Sequence, residues 1–274
     1  MKKRVISTIC LWLTVILVVL ITRVHGAVIL LTALALLAQF ELYRILERCS
    51  DRPWLRQGLV SGGIIMLSAY YGCRLTAQPA LLAGSLIAIG LFVRLLMQGR
   101  LQQNLNPTLL GLVLIPGMLQ FYIALMVDAE TGTGSRNAAL FLPIWVIAVA
   151  KFSDVGGLLV GSRIGRNKLS PAISPNKTWE GAFGGIIFSV LTGWILGYAF
   201  NMFTYAPWWL LGLLAIPIAV TAIVSDLFES YLKRVGRVKD SGNCIPGIGG
   251  AFDLIDSLMF TGPVAYLLFS LFVF

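Results

Sequence analysis

Residues 207–224 read PWWLLGLLAIPIAVTAIV, and the ten residues that follow, from Ser225 to Arg234, read SDLFESYLKR. The first run has no charged side chain, whereas the second holds two acids and two bases. Because about 20 mainly apolar residues cross a bilayer as a helix, this junction predicts a spanning helix that ends in a charged segment at one membrane surface.

The composition extends this prediction to the whole chain. Of 274 residues, 58% are hydrophobic and only 12% are charged, whereas a soluble protein carries about 25% charged residues. We therefore predict an all-α fold, a polytopic helix bundle in the membrane, with residues 1–274 forming one transmembrane domain. About nine spans are predicted, at residues 5–22, 26–46, 58–73, 79–97, 108–127, 138–161, 179–200, 207–224 and 250–273.

The distribution of Lys and Arg predicts the orientation of these spans. Most of the 21 basic residues fall on the side of the N-terminus when connections are sorted alternately, and the positive-inside rule makes that side cytoplasmic. An odd number of spans then leaves the C-terminus outside a cell inner or plasma membrane. The net charge of +9 is spread between apolar runs, which favours contact with membrane lipids and not with nucleic acid.

Two charged residues fall inside the sixth predicted span. Lys151 and Asp154 are three residues apart, and each would cost about 2.5 to 3.5 kcal/mol at the centre of a membrane helix. They form either an ion pair along the helix or a polar wall of an active site. Because intramembrane charges also mark ion pathways, a membrane transporter stays open as an alternative function.

Two segments on the cytoplasmic side differ from the rest of the chain. In the first, Ser174 to Thr178 (SPNKT) leads into Glu180 at a predicted helix start, where a lysine and free N–H groups could bind a phosphate. A purely structural turn would look similar. In the second, from Ser225 to Ser257, the acids and bases recur at helical spacing.

The carboxylates of the second segment predict a metal–phosphate site. Asp226, Asp253 and Asp256 are hard oxygen ligands, with no His in the segment and no Cys directly beside them, and such ligands suit Mg²⁺ bridging a polyphosphate. Mutual neutralisation of acids and bases in an interfacial loop is the structural alternative. Phosphoryl-type transfer is favoured, because it depends on positioning and on charge stabilisation.

This second segment resembles the phosphatidate cytidylyltransferase (CDP-diacylglycerol synthase) family. The family signature reads roughly S-x-x-K-R-x-x-x-x-K-D, a short spacer, then P-G-H-G-G-x-x-D-R-x-D. The matching residues are Ser230, Lys233, Arg234, Lys239, Asp240, Pro246, Gly247, Gly249, Gly250, Asp253 and Asp256. The earlier S-P-x-K-T-x-E-G stretch, from Ser174 to Gly181, and Asp154 are also similar to that family.

The resemblance implies a nucleotidyltransferase of phospholipid biosynthesis. Its substrates would be CTP and phosphatidic acid or a related lipid phosphate, and its products CDP-diacylglycerol and pyrophosphate, formed at the cytoplasmic face. It implies Mg²⁺, leaves a second cation open, and implies a homodimer. The implied metal ligands are Asp226 and Asp253. The implied catalytic residues are Lys233, Arg234, Lys239, Asp240 and Asp256, and the implied substrate-binding residues are Asp154, Ser174, Lys177, Thr178, Glu180 and Ser230.

Two positions depart from the signature, and they bear on activity. Ile248 replaces the family's His, and Leu254 replaces its Arg. A phosphate monoester has a second pKa near 6, so a missing general base need not abolish turnover. The departures leave open a non-catalytic or altered-substrate paralogue that acts as a lipid-binding subunit. Within the single domain, residues 1–137 are predicted to be a scaffold and residues 138–274 to carry the catalytic helices and loops.

Overall fold

A computed structural model of the chain describes residues 17–49, 51–75, 105–133, 136–204, 206–238, 241–242 and 249–273. Its helices are α1 (Val24–Arg48), α2 (Leu55–Leu75), α3 (Leu105–Leu114), α4 (Pro116–Thr133), α5 (Arg136–Ile164), α6 (Trp179–Ala199), α7 (Trp208–Val235), α8 (Ala251–Leu254) and α9 (Thr261–Phe272). Between α5 and α6 lie the strands β1 (Lys168–Ser170) and β2 (Ser174–Thr178). A short 3₁₀ helix, Met202–Thr204, follows α6.

Five stretches of the described chain are long and apolar enough to cross a membrane. They are Val24–Arg48, Asn106–Gly132, Asn137–Ile164, Trp179–Ala199 and Trp208–Val235. The protein is therefore an all-α integral membrane protein that crosses the bilayer several times, as the sequence predicts. The predicted span 79–97 and most of the predicted span 5–22 lie outside the described residues.

Two predicted spans are interrupted. The span 108–127 contains a break at Ile115 between α3 and α4, where Pro116 has no backbone N–H to continue the ladder. The span 250–273 ends its first helix at Leu254 and resumes at Thr261. In that gap the Asp256 carboxylate accepts the Ser257 N–H at 2.6 Å. Such side-chain bonds to the backbone compete with helical ones.

The structure contains one β-hairpin that the predicted all-α fold does not include. Strands β1 and β2 pair antiparallel, with Lys168 opposite Thr178 and Ser170 opposite Ser174. Helix α6 begins directly after β2. The Trp179 N–H at its start donates to the Asn167 carbonyl, just before β1, at 3.0 Å. The segment that the sequence predicts as a phosphate-binding loop is therefore an ordered strand and turn.

The chain divides into two compact units. Unit 1 comprises Met1–Val127 and Leu232–Ile255, and unit 2 comprises Asp128–Tyr231 and Asp256–Phe274. The predicted division into a scaffold and a catalytic part at residue 137 stays a prediction.

Unit 1 is held together by a buried polar network besides its apolar core. The Gln39 amide donates to the Tyr43 hydroxyl at 2.8 Å and to the Gly58 carbonyl at 2.9 Å. The Tyr43 hydroxyl donates to the Thr108 carbonyl at 2.9 Å. Because these carbonyls belong to α2 and α3, the network fixes both helices against α1.

In unit 2, α5 and α6 pack closely because glycines line their contact. A Cβ atom on Gly181 would lie 2.7 Å from the Gly157 carbonyl oxygen, and one on Gly185 would lie 2.5 Å from the Ser153 carbonyl oxygen. Farther along, the buried Trp145 donates its indole N–H to the Gly193 carbonyl at 2.8 Å. The glycine contacts and this hydrogen bond thus join α5 to α6 on both sides of Lys151.

Candidate active site

Three carboxylates converge in unit 2. Asp154 lies on α5, Asp226 on α7 and Asp256 in the turn before α9, and one oxygen from each lies within 4.8 Å of the other two. All three side chains are partly buried. We refer to these residues as the acidic cluster.

Two lysines neutralise part of this charge. The Lys151 ammonium lies 2.7 Å from Asp256 Oδ1, and the Lys177 ammonium lies 2.5 Å from Asp226 Oδ2. Lys151 therefore pairs across the fold with Asp256, which favours the polar wall over a simple pair along its own helix. Lys177 comes from β2, so the hairpin delivers a cation to the acidic cluster.

The backbone around Asp256 is fixed by a second contact. The Ser225 hydroxyl, which precedes Asp226 on α7, donates to the Asp256 carbonyl in a short hydrogen bond. One turn of α7 thereby supplies a carboxylate to the cluster and orients the residue that supplies another. No role for Ser225 was predicted from the sequence. A hydroxyl directly beside a carboxylate at the end of an apolar run is the sequence signal that could have identified this residue.

The acidic cluster has the donor set and the size for a divalent cation. The acidic cluster carries one net negative charge, because two ammonium groups neutralise two of its three carboxylates. Negative charges this close together favour the binding of a positive ion. Mg²⁺ takes oxygen ligands at about 2.1 Å, so opposite ligands are roughly 4.2 Å apart. The spacing of the cluster, within 4.8 Å, fits one such ion.

Thr178 and Glu180 fix the hairpin against the helices. The Thr178 hydroxyl caps α6 by accepting the Gly181 N–H at 3.1 Å. The Glu180 carboxylate accepts the Arg166 N–H at 3.1 Å and the Asn167 side-chain amide at 2.8 Å. Thr178 thus joins the end of β2 to the first turn of α6, and Glu180 joins α6 to the segment before β1. Neither residue belongs to the acidic cluster.

Asp253 belongs to unit 1, where it pairs with Lys233. The Lys233 ammonium lies 2.7 Å from Asp253 Oδ1. Asp253 Oδ2 accepts the Gly250 N–H at 2.9 Å and the Ser241 N–H at 3.4 Å. Beside it, Gly249 has a φ of 125°, a conformation that favours glycine and accounts for glycine at this position.

The remaining predicted residues are placed as follows. Ser230 lies one turn after Asp226 on α7 and is partly buried, and Arg234 is exposed in the last turn of the same helix. Ser174 begins β2, three residues before Lys177. Lys239 and Asp240 lie outside the described residues, as does Ile248.

The cytidylyltransferase family matches residues 2–272 of the chain. The chain belongs to this family. The match covers nearly the whole sequence, so both units and all three carboxylates of the acidic cluster fall within it. The sequence-based prediction of a cytidylyltransferase-type enzyme is thereby confirmed for the family.

The chain is also similar in sequence to individual proteins named phosphatidate cytidylyltransferase. The chain is 31% identical to the phosphatidate cytidylyltransferase of Rickettsia bellii over 169 residues, which make up 60% of this chain and 70% of that protein. It is 37% identical to the phosphatidate cytidylyltransferase of Staphylococcus epidermidis over 134 residues and 42% identical to that of Bacillus subtilis over 120 residues. These two alignments span 51% and 44% of the relatives' own lengths.

Proposed function

We propose that the protein is a phosphatidate cytidylyltransferase that condenses CTP with phosphatidic acid to CDP-diacylglycerol and pyrophosphate. The observation that carries the proposal is the acidic cluster with its two lysines, in a chain that belongs to the cytidylyltransferase family. A partly buried group of carboxylates and ammonium groups suits a reaction between two phosphate-bearing substrates.

The proposed reaction transfers a cytidylyl group. A phosphate oxygen of phosphatidic acid forms a bond to the α-phosphorus of CTP, and the bond from that phosphorus to the bridging oxygen of the β-phosphate breaks. Pyrophosphate leaves with the electron pair. The attacking phosphate is largely deprotonated at neutral pH, because its second pKa is near 6, so the site needs charge stabilisation more than a general base.

The residues of unit 2 can provide this stabilisation. Asp154, Asp226 and Asp256 would hold a divalent cation, which supplies positive charge to phosphate oxygens when bound. Lys177 and Lys151 each hold an ammonium group at an edge of the same cluster. With a cation held by the carboxylates, these ammonium groups would be available to bind phosphate oxygens.

Several finer features belong to the same proposal. The cation is Mg²⁺. The family resemblance further implies Asp253 as a metal ligand, Lys233, Arg234 and Lys239 as residues that hold the phosphates, and Asp240 as a catalytic residue near the metal. Ser174, Thr178, Glu180 and Ser230 shape the nucleotide site. The chain forms one domain of about nine spans, with the N-terminus and the active site cytoplasmic and the C-terminus outside, and works as a homodimer. Positive-inside counting and the family resemblance support these features.

The test is product formation by the purified full-length chain. The protein in detergent is given phosphatidic acid, Mg²⁺ and CTP labelled at the α-phosphate, and labelled lipid is measured together with released pyrophosphate. We expect equal amounts of both products, no reaction with excess EDTA, and little competition from ATP, UTP or GTP. Asp226→Asn should lower turnover about 100-fold or more, whereas Asp51→Asn, the same change outside the site, should not.

Other outcomes would support the alternative functions. Binding of phosphatidic acid without product from any nucleotide would reject the proposal in favour of a lipid-binding subunit. Flux of an ion or lipid phosphate across liposomes that contain the protein, without product, would favour a transporter.

A further inference from the structure

A buried carboxylate outside the acidic cluster lies on α1. Glu41 is only 3% exposed, and it falls inside the candidate span Val24–Arg48. An ionised side chain in such a place is costly unless hydrogen bonds compensate it. The groups that donate hydrogen bonds to Glu41 therefore indicate which part of the chain this residue stabilises.

The partners of Glu41 come from the far end of the sequence. Glu41 Oε2 accepts the Ser241 hydroxyl at 3.0 Å and the Phe252 backbone N–H at 2.9 Å. All three residues belong to unit 1. Glu41 thereby joins α1 to two stretches of chain that flank the resembled glycine motif.

Asp253 binds the same two stretches from its own position. It accepts the Ser241 N–H and the Gly250 N–H, and its other oxygen contacts the Lys233 ammonium. Ser241 thus donates its hydroxyl to Glu41 and its N–H to Asp253. The two carboxylates together accept four hydrogen bonds, which hold Ser241 and the start of α8 together.

Glycines make this arrangement sterically possible. A Cβ atom on Gly242 would collide with Glu41 Oε1, and a Cβ atom on Gly250 would collide with both Glu41 Oε2 and the Ser241 hydroxyl. A side chain at either position would therefore require the Glu41 carboxylate to shift from its present place.

We infer that Glu41 is a positioning residue for the proposed cytidylyl transfer. It holds Ser241 and Phe252 so that Asp253 keeps its orientation toward Lys233. Glu41 acts through these residues and does not itself touch the substrates. The inference rests on the proposed function, because positioning has a meaning only for a reaction that Lys233 and Asp253 serve.

The test compares three variants of the full-length protein in the cytidylyltransferase assay. Glu41→Ala removes both hydrogen bonds, and Glu41→Gln keeps an oxygen acceptor without the charge. Glu41 also lines a cavity of about 430 Å³, and the amide nitrogen of the glutamine can point into this cavity. Glu47→Gln is the matched control, because Glu47 lies on the same helix, is exposed and contacts Arg44.

We expect a graded loss of kcat with an unchanged KM for CTP. Charge-assisted hydrogen bonds are roughly twice as strong as neutral ones, so Glu41→Gln should lower kcat about tenfold and Glu41→Ala about 100-fold or more. Glu47→Gln should match the wild type. Hydrogen exchange at the Phe252 amide should be faster in Glu41→Ala and near normal in Glu41→Gln, which confirms the contact independently of turnover.

Two results would overturn the inference, and they can be told apart. If the wild type is active and Glu41→Ala keeps its kcat within twofold, the positioning role is wrong and the proposed function stands. If the loss disappears when rates are normalised to folded protein, Glu41 has only a structural role. A wild type with no turnover would reject the proposed function and the positioning role together.

Discussion

Replacing Lys151 by methionine tests whether the acidic cluster binds a divalent cation. Three carboxylates and two ammonium groups leave one net negative charge at the cluster. Lys151→Met makes this two, whereas Asp256→Asn makes the cluster neutral and removes a ligand. Methionine keeps a long unbranched side chain at this position of α5 and removes the charge.

The size of the effect follows from the exposure of the pair. Lys151 and Asp256 are 2.7 Å apart, with side chains 33% and 22% exposed, so their coupling lies between that of surface pairs, about 0.2 to 1 kcal/mol, and the cost of breaking a buried pair, about 3 to 5 kcal/mol. We take about 2 kcal/mol. Because 1.4 kcal/mol is tenfold in affinity, Lys151→Met should bind the cation about 30-fold more tightly.

The two variants should therefore shift cation affinity in opposite directions. Isothermal titration of the detergent-solubilised protein with Mg²⁺ measures this shift, and the free Mn²⁺ signal in electron paramagnetic resonance provides a second readout. Asp256→Asn should bind about 30-fold more weakly, and Asp51→Asn should match the wild type. Equal affinities in all four proteins, or weaker binding by Lys151→Met, would refute a cation site at the acidic cluster.

Two further predictions concern the packing that positions the cluster. Gly185→Ala places a Cβ atom 2.5 Å from the Ser153 carbonyl oxygen, and such overpacking should destabilise the fold by about 1 to 3 kcal/mol. A lower Tm in detergent would show this, and Gly63→Ala, where the nearest atom is 3.8 Å away, is the control. Thr178→Val removes the cap that accepts the Gly181 N–H and should cost about 1 kcal/mol. Thr178→Ser should restore the Tm, and an unchanged Tm in Thr178→Val would contradict the capping role.

The membrane helices could be predicted from sequence because the bilayer leaves few choices. A mainly apolar run of this length must satisfy its backbone hydrogen bonds internally, which favours a helix. The predicted span 179–200 accordingly matches α6, Trp179–Ala199, and the span 138–161 lies within Arg136–Ile164. The end of α7 differs, because the helix continues past residue 224 through the charged segment to Val235.

The members of the acidic cluster could be predicted singly but not as a group. Asp253 and Asp256 are three residues apart in the predicted span 250–273 and would face the same way in one continuous helix, but α8 ends at Leu254. Asp253 pairs with Lys233, whereas Asp256 pairs with Lys151. A turn held by side-chain hydrogen bonds leaves no periodic signal in the sequence.

Glu41 could also have been identified from the sequence, by the cost of placing a charge in a membrane helix. It lies within the predicted span 26–46, and the cost of a charge in a membrane helix singled out Lys151 and Asp154 in the same way. Applied to every span, that argument would have marked Glu41 as a residue in need of partners. It could not have named Ser241 and Phe252, which are 200 and 211 residues away in sequence.

The pairing of lysines with carboxylates would allow one set of charges to serve two states of the proposed enzyme. Without substrates, Lys151 and Lys177 reduce the cost of keeping three carboxylates partly buried. If the same carboxylate oxygens held a divalent cation, both ammonium groups would need other anions. The phosphates of a nucleotide and a lipid supply such anions. We therefore expect cation and CTP to bind with positive coupling, and Lys177→Met should weaken that coupling even where it strengthens cation binding alone.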